Sequence, residues 1–177
     1  QVFREAGVKA GDRILIHAAS GGVGHYAIQL AKEIGAYVVG TSSAANRDFV
    51  LSIGADEHFD YHGGNLADAV HDIDFVFDSL GPDNIINSLP VIKSGGKVIS
   101  IVTQFNEDLT AQLAAKNVTG KFLLVQSSGE DMKYLAALLE NGKLKSHVSK
   151  SFAFDKMADA HEQIETGRTV GKIVVNI

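Results

Sequence analysis

Cysteine is absent from all 177 residues, which removes disulfides, thiolate nucleophiles and thiolate-held zinc from anything this chain does by itself. The fold must stand on burial alone. Long hydrophobic runs are absent too: stretches such as Phe122 to Val125 fall far short of the roughly 20 apolar residues that a bilayer-crossing helix needs, and no signal-peptide pattern opens the chain. A cytoplasmic protein that does not bind membranes is expected. Lys and Arg nowhere form a run and the formal charge is −5 at pH 7, so the concentrated basic face that nucleic acid or anionic lipid requires is missing. An initiator methionine is also lacking. The chain begins at Gln1, and Gln1 to Ala6 reads as the last turns of a helix, so a fragment of a longer protein is expected.

What is present suits one well-cored domain, with 45% hydrophobic and 21% charged residues placing it among ordinary globular chains. Arg13 to Ala18 (RILIHA) is a short apolar run between Gly11-Asp12 and a glycine-rich turn, as a buried parallel strand should be. Val23, Ala27, Leu30, Ala31 and Ile34 then follow helical spacing and stop at Gly35, a left-handed cap position. The rhythm continues with strands at Tyr37 to Thr41, His58 to Tyr61, Ile73 to Asp78, Lys97 to Val102 and Lys121 to Val125. Helices near Asn46 to Ile53, Leu66 to Val70, Asp83 to Leu89 and Leu109 to Ala115 separate them. Such alternation implies an α/β fold: a doubly wound, six-stranded parallel sheet of Rossmann type.

Ser128, with Asp131 three residues on, resembles a capping box for a helix closed near Asn141-Gly142. The rhythm stops there. A strand near Val148 to Phe154, a helix capped by Asp155 and reaching about Glu165, and a strand Lys172 to Val175 make a tail expected to lie in another layer.

Between the first strand and its helix lies Ala18-Ala19-Ser20-Gly21-Gly22-Val23-Gly24. Glycines here let the chain turn sharply and a ligand approach the backbone. The free N–H groups of the first helical turn and the positive end of the helix dipole then favour a pyrophosphate. Alone, such a turn also fits a tight turn with no ligand; its place after the first strand and before an amphipathic helix makes dinucleotide binding the expectation.

About 20 residues on, NAD sites carry an acid for the ribose 2′-hydroxyl, yet the second strand ends Gly40-Thr41-Ser42-Ser43, followed by Asn46 and Arg47. A carboxylate about 4 Å from a phosphate charge would repel it by roughly 4 kcal/mol at an effective dielectric near 20. Hydroxyls and a guanidinium remove that repulsion and add charge-assisted partners, so NADPH is expected over NADH. The competing reading is a solvated helix start with Ser43 as N-cap.

Other candidates weigh less. His58 and His62, four residues apart on a strand, stand about 13 Å from each other, too far to share a metal. Ser20 lacks the Gly-x-Ser-x-Gly setting of a hydrolase nucleophile, so the proximity of Asp78-Ser79 and His17 is not read as a triad. His25 is expected to face solvent, and Tyr26, Tyr37 and Tyr134 carry no acid–base pattern. A methyltransferase reading fails for want of the same acid after strand two.

Asp12 to Ala18 (DRILIHA), the Ala-x-x-Gly-Gly-Val-Gly turn, Gly54-Ala55-Asp56, Phe59-Asp60-Tyr61, Phe75 to Gly81, Gly95-Gly96-Lys97-Val98 and Gly167-Arg168-x-x-Gly171-Lys172 together resemble the medium-chain dehydrogenase/reductase family. The ends Gly40-Thr41-Ser42-Ser43 and Asp60-Tyr61 look like its NADPH-dependent quinone oxidoreductase branch, which works without zinc. The resemblance implies a protein about twice as long, with an N-terminal GroES-like domain outside this chain. It divides the chain into a nucleotide-binding part, 1–145, and a C-terminal part, 146–177, that returns to the GroES-like domain. It implies hydride transfer from NADPH to a quinone or to the activated C=C bond of an enone or alkenal. A non-catalytic NADPH-binding sensor, or the cofactor domain of a zinc-dependent alcohol dehydrogenase, stands as the alternative.

Carried over by residue, the turn Ser20, Gly21, Gly22, Val23 and Gly24 would hold the pyrophosphate. Thr41, Ser42, Ser43 and Arg47 would surround the adenosine 2′-phosphate, with Tyr61 beside them. Leu80, Gly81, Ile101 and Val102 would line the nicotinamide half. No catalytic side chain and no metal ligand is assigned, and the edge run 121–126 resembles the family's homodimer strand.

Overall fold

The computed structural model describes all 177 residues, Gln1 to Ile177. Helix α1 (Val2–Ala6) leads into β1 (Arg13–Ile16), α2 (Gly24–Ile34), β2 (Tyr37–Ser42), α3 (Arg47–Ser52), β3 (Glu57–Asp60), α4 (Leu66–Ala69) and β4 (Ile73–Asp78). Then come α5 (Pro82–Ser88), β5 (Ile92–Ser100), α6 (Glu107–Ala115), β6 (Thr119–Phe122) and α7 (Gly129–Glu140). The six strands form one parallel sheet in the order β3-β2-β1-β4-β5-β6. That is the doubly wound arrangement expected from the strand and helix rhythm.

Side chains on consecutive strand residues point to opposite faces, and both faces are covered. Ile14 and Ile16 of β1, with Val38, Phe75, Phe77 and Ile99, pack under Ala27, Ile28 and Ala31 of α2 and Val50 of α3. Leu15, Val39, Val76 and Val98 face the other way, against Leu66 of α4, Ile85 of α5 and Leu109 and Leu113 of α6. This double coverage is why the strands read as unbroken apolar runs. Each fully buried Ile, Leu or Val contributes about 1.5–3 kcal/mol relative to exposure.

Helix ends follow local chemistry. Asn65, Asn106 and Ser128 accept the amides of Ala67, Leu109 and Asp131, so the Ser128 cap is as expected. Gly35 closes α2 at φ 89°, a conformation that costs glycine little.

Several boundaries differ from expectation. β1 stops at Ile16, because Ala18 turns left-handed at φ 48° and its carbonyl receives the amide of Gly21 at 2.8 Å. β6 occupies Thr119–Phe122 instead of Lys121 to Val125. Its pairing with β5 ends at Ser100 opposite Phe122, and Leu124 and Val125 run on into solvent, 71% and 75% exposed. Asp155 is not a cap: the chain passes through a single 3-10 turn, Phe154–Lys156, into α8 (Met157–Glu165), whose start has no side-chain cap bond.

The tail forms a second, two-stranded parallel sheet of β7 (Val148–Ala153) and β8 (Lys172–Asn176), crossed over by α8. It docks on the glycine turn, where the Gly171 amide donates to the Ser20 carbonyl at 2.8 Å.

Candidate functional site

Strand ends of a doubly wound sheet open a crevice where the chain order reverses, here between β1 and β4. The glycine turn forms one lip. Gly24 begins α2 so close to the turn that a Cβ on it would lie 2.2 Å from the Ala18 carbonyl oxygen; only glycine lets helix and turn meet this closely. The amides of Gly22, Val23 and Gly24 donate to no acceptor within the chain, whereas those of Gly21 and His25 close on Ala18 and Gly21. Unpaired amides at a helix start, with the helix dipole behind them, are what an anion requires.

His25, expected in solvent, is fully buried. Its Nδ1 lies 2.8 Å from the Gly21 carbonyl and its Nε2 faces the His147 amide at 3.5 Å. The position lies three and four residues before Ile28 and Gln29, both buried on the same helical face. Burial, the largest influence, outweighs the opposing Gly21 bond and, with smaller contributions from the charges of Lys172 and His147, lowers its pKa. The ring therefore pins the turn to the tail.

A cavity of about 910 Å³ opens beside the turn. Among the residues singled out from the sequence, Ser20, Gly21, Thr41, Ser42, Ser43, Tyr61 and Leu80 line it. Gly22, Val23, Gly24, Arg47, Gly81, Ile101 and Val102 do not. Val23 and Ile101 instead line a separate apolar groove, of about 780 Å³, with Phe3, Leu123 and Met132. The Arg47 guanidinium turns toward Asp48 at 3.5 Å, with both side chains exposed.

Residues far along the chain complete the wall. Gly167, Arg168 and Thr169 of the α8–β8 loop reach the cavity. Thr169 Oγ1 is buried without any hydrogen-bond partner, which marks the place where a ligand atom would satisfy it. The Gly167-Arg168 motif was visible in the sequence, but nothing local tied it to the glycine turn. Asn46 donates to Ser20 Oγ at 3.1 Å, and the His58 ring lies 2.8 Å from Ser42 Oγ. Burial first, and Arg47 second, lower the His58 pKa.

On the other side of β1, Asp78 is fully buried. One carboxylate oxygen accepts the amides of Leu80 and Gly81 at 3.1 and 3.2 Å; the other accepts Ser100 Oγ at 2.6 Å. Ser100 Oγ in turn accepts the Val102 and Thr103 amides at 3.2 and 2.9 Å. One carboxylate thus sets both loops that end β4 and β5. It is not part of a triad, since His17 bonds elsewhere: Nδ1 to Thr41 Oγ1 at 3.0 Å and Nε2 to Ser88 Oγ at 2.7 Å. Burial lowers the His17 pKa to about 4 against a weaker pull from Asp78, so the ring is neutral. No three His, Asp or Glu side chains converge to hold a metal ion, and no helix is long and apolar enough to cross a membrane.

Fold and crevice together define a nucleotide-cofactor domain of the doubly wound α/β class. Residues 53–175 match the model of the zinc-binding dehydrogenases, and the chain belongs to that family, within the medium-chain dehydrogenases/reductases. It is 35% identical over 98% of its length to a 2-methylene-furan-3-one reductase of Solanum lycopersicum, covering 42% of that protein. It is equally similar, over 94% of its length and 41% of the other, to a chloroplastic NADPH-dependent alkenal/one oxidoreductase of Arabidopsis thaliana. The solved quinone oxidoreductase of Coxiella burnetii superposes with a TM-score of 0.94 at 36% identity, over all of this chain and 56% of that one. The chain thus spans about half the length of the relatives it matches.

Proposed function

We propose that this chain is the NADPH-binding domain of an oxidoreductase that passes hydride to a quinone or to the activated C=C bond of an enone or alkenal. The observation that carries the cofactor reading is the end of β2, where hydroxyls take the place of an acid and line the same cavity as Arg168. Unpaired amides at Gly22 to Gly24 and the unpartnered Thr169 hydroxyl supply places for a pyrophosphate and a further polar group. The names of the two plant relatives support the substrate class.

When bound, NADPH supplies the hydride; the protein holds and orients it. The glycine turn takes the pyrophosphate, Ser43 and Arg168 face the 2′-phosphate with Arg47 outside the wall, and the loops held by Asp78 position the nicotinamide half. Leu80, 53% exposed, and Val102, 55% exposed, offer that half an apolar bed. The edge strand β6 is the proposed homodimer contact, since it pairs on one side only. Residues 146–177 are proposed to adjoin a GroES-like domain in the longer protein.

Titration with both cofactors tests the reading. NADPH is expected to bind at least tenfold more tightly than NADH, and Arg168→Ala to remove about 10- to 100-fold of NADPH affinity while leaving NADH unchanged, as loss of a charge-assisted bond predicts. Arg47→Ala is expected to cost less, because Arg47 stands outside the cavity wall. Equal affinity for NADH and NADPH would refute the specificity.

A further inference from the structure

We propose that Ser88 and His17 are positioning residues that make the Thr41 hydroxyl a pure hydrogen-bond acceptor toward the cavity, where it selects an O–H or N–H donor of the bound nucleotide. This rests on the nucleotide reading above and adds which groups of the nucleotide that corner accepts.

The direction of each proton follows from the far end of the chain of bonds. The Asn84 carbonyl can only accept, and Ser88 Oγ donates to it at 2.7 Å. A hydroxyl has one proton, so Ser88 Oγ must accept from His17 Nε2, 2.7 Å away. A neutral imidazole carries one N–H. With that proton on Nε2, His17 Nδ1 is an acceptor, and Thr41 Oγ1 donates to it at 3.0 Å. The Thr41 proton is therefore committed inward, and its oxygen keeps only lone pairs to offer a ligand in the cavity that Thr41 helps to line.

Burial keeps this direction fixed. Ser88 is fully buried and His17 and Thr41 are 4% and 3% exposed, so water does not compete for the bonds. The ring also stays neutral until about pH 4, below which both nitrogens would donate. Thr41 lines the cavity with Ser20 and Ser42. Its oxygen facing a phosphate oxygen would set lone pair against lone pair. The 2′-phosphate is thereby directed away from Thr41, toward Ser43 and Arg168, while a ribose hydroxyl or the adenine amine suits it.

The test uses 2′,5′-ADP, its 3′-deoxy form and its form lacking the 6-amino group, titrated calorimetrically. Thr41→Val is expected to weaken 2′,5′-ADP about fivefold, the effect of one hydrogen bond. Whichever analogue lacks the donor should bind Thr41→Val and wild type alike, which identifies hydroxyl or amine. Ser88→Ala should weaken 2′,5′-ADP two- to threefold although it touches no ligand, and should add nothing in the double variant with Thr41→Val. Nitrogen NMR of wild-type His17 should show the proton on Nε2. A proton on Nδ1, or unchanged affinity in Thr41→Val, overturns the proposal. Failure of the wild type to bind 2′,5′-ADP or NADPH would instead overturn the nucleotide reading, with the NMR result still deciding the hydroxyl direction.

Discussion

Gly24→Ala is expected to destabilise the chain by at least about 3 kcal/mol and to abolish cofactor binding. The added Cβ would stand 2.2 Å from the Ala18 carbonyl oxygen, 2.8 Å from the Ala19 Cα and 2.9 Å from the Ala18 carbonyl carbon. All three are backbone atoms, so no side chain can swing aside. Either α2 moves off the sheet, uncovering Ala27, Ile28 and Ala31, or the turn opens and the amides of Gly22 to Gly24 lose their common aim. Two further glycines grade the effect. At Gly21 the same atom would lie 3.1 Å from Ala18 O, and at Gly129, the first residue of α7, nothing lies within 4 Å. Urea unfolding midpoints should therefore fall in the order Gly129→Ala, Gly21→Ala, Gly24→Ala, the first near wild type. A Gly24→Ala protein as stable as Gly129→Ala would show that turn and helix do not meet as described.

Acid should unfold the chain early, and His17 is the main reason. Its pKa is about 4 in the folded chain against 6.5 as the ordinary value. The unfolded chain therefore binds the proton first, and stability falls as pH drops from about 6.5 towards 4. The full effect is about 3 kcal/mol at roughly 1.4 kcal/mol per unit. His25 and His58, also lowered by burial, act in the same direction. The lowered carboxylates Glu57 and Asp74 lose their contribution further down, as pH falls from the ordinary carboxylate range. Urea melts between pH 7 and 5 separate the contributions: His17→Gln should flatten the slope, whatever its stability at pH 7. An unchanged slope would mean that His17 is not the buried neutral base described.

Much of this was legible in sequence, for physical reasons. β4 runs from Ile73 to Asp78 as read, because a buried parallel strand is apolar on both faces and Asp72 and Gly81 bound the run. The glycine turn was legible because only that backbone geometry demands glycine at close spacing. His25 was misread, because tracing the aliphatic stripe of α2 leaves out a ring that satisfies its polar atoms on Gly21 and His147. Arg168, Thr169 and the Ser88–His17–Thr41 bonds were not legible, since each joins residues from separate elements that only the sheet order brings together. The Asp78 carboxylate shows the same limit: its motif was visible, but its bond to Ser100 depends on β5 lying next to β4.

The hydrogen bond between Gly171 and Ser20 joins the beginning of the site to a strand made about 150 residues later. During synthesis, at about 5–20 residues per second, the turn emerges of order ten seconds before the loop bearing Arg168 exists. Until then the Ser20 carbonyl lacks its partner and one wall of the cleft is missing. A free chain truncated before Gly167 should therefore pass through a 2′,5′-ADP resin unretained, whereas one that includes residues 167–177 should stay on it; retention of both would mean that the late segment is not needed to complete the cleft.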